Sequence, residues 1–170
     1  TYLSNNNLTN VYTSIEPWKN VVFRVDGNYQ YIKPADSEHF SIAYEKDGQV
    51  KENLTNSSLS VSIIARPKAK YTQYGLDRFE LTTLAPTIML RYTRGLKGVI
   101  NSDFEYDKLQ FLYTQPILIG SFGRTLITVE AGKTFQAVPL SLLSAIPGNE
   151  SYGQVYGTFS QVDYYEFVTD

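Results

Sequence analysis

The chain has 170 residues, enough for one domain with a real core, and its 15 basic against 17 acidic residues leave a net charge of -2. Without a basic stripe to displace counterions from phosphates, this balance excludes an electrostatic nucleic-acid binder. The lack of cysteine excludes disulfides, thiolate metal sites and thiol catalysis. No window reaches the roughly 18–20 apolar residues of a membrane helix, so any crossing of a membrane would be made by strands.

The opening "TYLSNNNLTN" carries no Met, basic region or apolar run, so a signal peptide is expected to have been removed or to lie outside this chain. The pattern assigns no element ahead of Val21. Val21–Ile32 alternates Val21, Phe23 and Val25 against Val22, Arg24 and Asp26, and Asp26-Gly27-Asn28 within it fits a tight turn or a bulge. Pro34–Ser37 breaks the chain, and His39–Lys46 reads as a second strand closed by the hairpin signal Lys46-Asp47-Gly48. The polar run Gln49–Ser57 reads as a loop.

Next comes "SLSVSIIAR", Ser58–Arg66, in which Leu59, Val61, Ile63 and Ala65 alternate with Ser58, Ser60 and Ser62 until Pro67 ends the strand. Tyr71–Leu84 is less regular. Thr87–Thr93 is a strand followed by a glycine-rich turn at Arg94–Gly98. Asp103–Tyr113 and Arg124–Ala131 are two long strands, separated by Gln115-Pro116 and Gly120–Gly123. Leu140–Ile146 fits a short helix stopped by Pro147-Gly148-Asn149, and Gly153–Val168 returns to aromatic-rich strand character. The count is roughly eight strands. Several exceed the ~5–6 residues usual in globular proteins and approach the ~9–11 of a membrane strand.

Alternation leaves the orientation of the faces open: apolar side chains into a core with serines in water, or apolar side chains into lipid with serines in a polar interior. Aromatic residues, 14% of the chain with 14 Tyr, 9 Phe and one Trp, serve either arrangement.

Candidate chemistry is sparse. His39 is the only histidine, so sites that need two imidazoles are excluded. "IGSFG" at 119–123 lacks the Gly-x-Ser-x-Gly spacing of a nucleophile elbow and reads as a small-residue turn. Asp103, Glu105 and Asp107 recur at period two, opposite Phe104 and Tyr106, and could hold a hard cation through oxygen ligands, although no calcium-loop glycine follows. A solvated or lumen-facing acidic row explains them equally. Four Asn-x-Ser/Thr sequons, at Asn7, Asn53, Asn56 and Asn149, fit surface loops. Arg66, Lys68 and Lys70, and separately Arg91, Arg94 and Lys97, suit anionic headgroups or lipopolysaccharide phosphates; lysine at strand ends also guards against edge pairing.

The segment Val129–Tyr152, "VEAGKTFQAVPLSLLSAIPGNESY", carries Glu130-Ala131-Gly132-Lys133, Pro139, a leucine pair near Leu142, Pro147-Gly148-Asn149 and Ser151-Tyr152. With Tyr165-Glu166-Phe167-Val168 after it, and "LRYTRGLKGV" at Leu90–Val99 and the strand Tyr106–Leu109 before it, this order resembles the C-terminal region of a Bacteroidota outer-membrane family. Members of that family carry an N-terminal carboxypeptidase-regulatory-like domain, which has no peptidase site, and end in a surface-antigen-like β-barrel. The resemblance implies a chain that continues with further strands past Asp170, no enzymatic activity and no cofactor. The Arg-Gly-aromatic lumen motif of barrel-assembly and secretion members is not present. Glu130 and Lys133 would be lumen or rim features, Gly132 would permit a bend or close backbone approach, and tyrosines with Trp18 would form interfacial girdles.

The expectation is therefore an all-β, antiparallel up-and-down transmembrane β-barrel, residues 1–170 forming a single barrel domain or an incomplete segment of one. Its expected place is the outer membrane of a Gram-negative bacterium, in envelope transport or biogenesis. Its expected partners are outer-membrane lipid, lipopolysaccharide and other envelope proteins. The rival is a soluble extracellular β-sandwich or small barrel acting as an adhesin or ligand-binding module, with tyrosines as stacking platforms.

Overall fold

The computed structural model describes residues 4–34, 44–46, 49–82, 84–145, 148–149, 158–160 and 168–169. Two long strands, β1 (Ser4–Trp18) and β2 (Val21–Pro34), open the fold, and a hairpin of short strands, β3 (Tyr44–Lys46) and β4 (Gln49–Lys51), leads into β5 (Leu54–Ala65). A second short hairpin, β6 (Tyr71–Tyr74) and β7 (Asp77–Glu80), precedes β8 (Thr87–Gly95), β9 (Tyr106–Leu118) and β10 (Arg124–Thr134). Beyond these, β11 (Ser144–Ala145) pairs with β14 (Val168–Thr169), and β12 (Gly148–Asn149) runs parallel to β13 (Phe159–Ser160).

The six long strands form one antiparallel sheet in the order β1-β2-β5-β8-β9-β10, each paired with the next long strand in the chain. This is an up-and-down meander without crossovers. No helix among the described residues is long and apolar enough to cross a membrane.

Several expectations are corrected by tertiary pairing. β1 was not expected at all: its polar "SNNNLTN" half has no apolar alternation, yet it pairs residue for residue with β2 from Ser4↔Pro34 to Ile15↔Phe23. Pro17 sits where the register shifts between Ile15 and Trp18, the bulge at which an edge strand tolerates a residue without an N–H. Asp26-Gly27-Asn28 makes neither turn nor bulge; it runs straight through β2, because β1 and β5 hold both of its edges. Gln49–Ser57 is not a loop, since β4 and the start of β5 fall within it. The irregular stretch after Tyr71 is the β6–β7 hairpin, tied down by ion pairs from Arg78 to Glu16 and from Arg66 to Glu80. β9 begins only at Tyr106 and passes through Pro116, which pairs with Leu126. The expected helix at Leu140–Ile146 is one 3-10 turn, Leu140–Leu142, followed by β11.

The strands are staggered. The row crossing the middle of β1 at Val11 passes through Gly27, Leu59, Arg94 and Asp107, and reaches Phe135, just past the end of β10. A progressive slip of this kind tilts strands against the sheet axis, as curling toward a barrel requires. Among the described residues no ladder joins β10 to β1, so the sheet is open. The apolar core is small and lies at one end of the concave face, where Ile32, Leu54, Tyr106 and Leu142 meet with Tyr44, Phe104 and Val138 against them.

Candidate functional site

Register assigns every long-strand residue to one of two faces, because directly paired residues point the same way and neighbours alternate. On one face lie Asn28 and Gln30 of β2, Asn56, Ser58, Ser60 and Ser62 of β5, Thr93 of β8, and Tyr106, Lys108 and Gln110 of β9. On the other lie Phe23 and Val25, Leu59, Val61 and Ile63, Leu90 and Tyr92, Leu109 and Phe111, and Val129.

The polar face is the buried one. Ser60 is 4% exposed and Ser62 0%, while Val61 between them is 41% exposed. Curling of the sheet produces this: the serine face is concave, so its side chains shelter one another, and the apolar face is convex and turned outward. The question raised by "SLSVSIIAR" is thus answered in geometry, with the serines inside and the aliphatic side chains outside.

Several of the sheltered polar groups bond one another across the strands. Ser60 Oγ and Thr93 Oγ1 are 2.8 Å apart, Arg91 Nε donates to Ser62 Oγ at 3.0 Å, and Asn56 Nδ2 donates to the Tyr106 hydroxyl at 3.2 Å. Arg24 pairs with Asp26 at 2.6 Å and lies 4.0 Å from the Tyr12 ring centroid. On this face an open cavity of about 250 Å³ is lined by residues from β1, β2, β5, β8 and β9 together with Ser141 and Leu142.

The outward apolar band has polar margins. Arg94, beside Leu59, reaches Glu105 at 2.7 Å and Asp107 at 3.1 Å, while Tyr92 and Gln136 also bond Asp107. At the far end Trp18 is 63% exposed and its ring lies against Phe23.

Of the candidate residues, the acidic trio is divided, with Asp103 apart from Glu105 and Asp107. Asp103 and Glu105 precede β9, Asp103 is held by Lys51 and Tyr44, and Glu105 and Asp107 are held by Arg94. No acidic or histidine cluster able to hold a metal occurs among the described residues. Each carboxylate is drawn to a nearby cation or phenol instead of to its neighbours. Arg91 and Arg94 likewise do not form a group, since one points inward and the other outward. Asn56 is a buried wall residue and not a loop asparagine.

Glu130 and Lys133 fall on opposite faces of β10, opposite Leu112 and Leu109, and at Gly132 a Cβ would stand 3.3 Å from the Leu109 carbonyl oxygen. Pro139 lies just before the 3-10 turn, and Gly148 and Asn149 form β12. His39, Pro147, Tyr152, Glu166 and Phe167 lie outside the described residues.

Residues 6–170 match the model of the C-terminal domain of DUF5686, a family of unknown function. The chain belongs to this family. No curated protein and no solved structure matches it. In this DUF5686 C-terminal domain the inward residues Asn28, Gln30, Lys108 and Gln110 were missed as a group by sequence reasoning. The signal was present, since "NYQYI" and "KLQFL" alternate amide or lysine with aromatic or aliphatic residues. Only the pairing of β2 with β5, of β5 with β8 and of β8 with β9 brings the two runs onto one surface of the DUF5686 domain.

Proposed function

We propose that the six-stranded sheet is wall of an outer-membrane β-barrel of the surface-antigen-like type in a Bacteroidota envelope, with a non-enzymatic role in transport or biogenesis. The observation that carries this reading is the inversion of faces: Ser58, Ser60 and Ser62 are buried on the concave side while Leu59, Val61 and Ile63 are exposed on the convex side. With ~4.8 Å between strands and ~3.3 Å per residue, the outward apolar band measures roughly 25 by 20 Å. Soluble monomers rarely leave contiguous apolar patches above a few hundred Å² to water, whereas lipid covers such a band at no cost.

Three further features support the reading. The long strands are of membrane-spanning length, the stagger runs in the way a tilted barrel requires, and Arg94 and Trp18 stand at the margins of the band where interfacial residues belong. The three carboxylates singled out as candidate ligands are each tied up in ion pairs, in keeping with a structural role. In lipid every backbone polar group needs a partner, so the reading requires the open edges of β1 and β10 to be joined, directly or through further strands. Outer-membrane lipid and lipopolysaccharide are the partners this surface would meet.

The test uses the single tryptophan. The chain is refolded in plain buffer and in detergent micelles and followed by circular dichroism and sedimentation, then Trp18 fluorescence is measured with a brominated detergent. We expect aggregation in buffer, β-structure in micelles and strong quenching of Trp18. A monodisperse chain that melts cooperatively in buffer, with Trp18 insensitive to bromine, would establish the soluble adhesin-like alternative.

A further inference from the structure

We infer that the cavity on the concave face binds an anionic monosaccharide, a sugar acid or a sugar phosphate. The inference deepens the lumen reading above and rests on it. Its volume of about 250 Å³ accommodates one sugar ring.

The lining chemistry selects the ligand. Asn28, Gln30, Asn56, Ser60, Tyr106 and Lys108 present amides, hydroxyls and a phenol, groups that both donate and accept, as ring hydroxyls do. Asn56 is 5% exposed, and its Oδ1 has no hydrogen-bond partner among the described residues; Ser141 Oγ, also on the lining, has none among them either. An unpaired buried oxygen is unfavourable, and a ligand hydroxyl met by a turn of either side chain would satisfy it.

Charge adds the second selection. Lys108 makes no ion pair among the described residues, and none of the described residues lining the cavity carries a carboxylate. The inward wall around it keeps the same bias, with Arg24, Arg91 and Arg124 against Asp26 and Glu130. A lone ammonium in a concave polar wall draws a carboxylate or phosphate, and the amides and hydroxyls around it hold the rest of the ring.

Calorimetric titration of the folded 170-residue chain with glucuronate, glucose 6-phosphate, glucose and inorganic phosphate tests this, in whichever medium folds the chain. Expected is saturable binding of glucuronate, of glucose 6-phosphate or of both, with glucose and inorganic phosphate each roughly tenfold weaker or more, because each lacks one half of the recognition. The tighter of the two sugar anions names the source of the charge. Lys108→Met should bring the anionic sugars down to the level of glucose, and Lys108→Arg should retain them. Absence of saturable binding, glucose or inorganic phosphate binding as tightly as the sugar anions, or an affinity untouched by Lys108→Met would overturn the inference. Trp18 quenching reads the orientation of the outer face independently, so failure of the cavity and failure of the barrel reading are told apart.

Discussion

Gly95 closes β8 directly opposite Tyr106, and the phenol ring lies against its backbone: a Cβ placed on Gly95 would stand 2.4 Å from the ring carbons Cδ1 and Cε1. The ring in turn fills the small core beside Ile32, Leu54 and Leu142, and its hydroxyl accepts the hydrogen bond from Asn56. Gly95→Ala must therefore push the ring off its seat. We expect a loss of about 1–3 kcal/mol in denaturant unfolding, the usual result of overpacking a filled site. Tyr106→Phe keeps the ring and loses only the Asn56 bond, so it should cost about 0.5–1.5 kcal/mol. "RGLKG" reads in sequence as a turn, and a turn does follow; that its first glycine serves an aromatic ring on the next strand depends on a register no local pattern reveals.

At the level of elements, the short β3–β4 hairpin is fastened to the β8–β9 connection by Asp103. Its carboxylate receives Lys51 Nζ at 2.6 Å and the Tyr44 hydroxyl at 2.7 Å, and Tyr44 packs on Phe104 with ring centroids 5.0 Å apart. The backbone N–H of Asp103 is also engaged, by the Thr55 carbonyl at 3.0 Å. Asp103→Ala leaves the Tyr44 hydroxyl and Lys51 without that acceptor, and thermal or denaturant melts should show a loss of about 1–3 kcal/mol. Burial, and after it the neighbouring Asp103 carboxylate, raises the Tyr44 pKa well above that of a free phenol. A raised folded-state value means that the contribution is fully present below the free-phenol value of about 10 and is lost as pH climbs above it. The wild-type melting temperature should accordingly fall more steeply above that pH than that of Tyr44→Phe. The acid at 103 was legible as a candidate ligand. Its partners were not, because Lys51 and Tyr44 come from an element about fifty residues away that only the fold sets beside it.

For the whole molecule the deciding feature is which face is convex. Val61 lies in the middle of the outward band, between Val25 of β2 and Tyr92 of β8. If that face meets lipid, Val61→Arg should destabilise the chain in vesicles by about 2–4 kcal/mol, the penalty of a charge near the bilayer midplane. If it meets water, the same change falls within about ±0.5 kcal/mol, as for other surface substitutions. Urea unfolding of the two proteins in vesicles distinguishes the cases.

Alternation in β2, β5, β8 and β10, read from the sequence alone, was enough to establish an all-β chain of long antiparallel strands, since a period of two is local and needs no partner. The absence of cysteine and the single histidine likewise excluded thiol chemistry and sites that need two imidazoles. What the tertiary structure decided was everything that depends on partners. It recruited the polar "SNNNLTN" into β1 by pairing with β2, carried β2 straight through Gly27, set Asp103 apart from Glu105 and Asp107, and gathered Asn28, Gln30, Asn56, Lys108 and Gln110 onto one wall. Above all it turned the serines inward. The same alternating code specifies either orientation, and only the direction in which a staggered sheet curls makes one of its faces the inside.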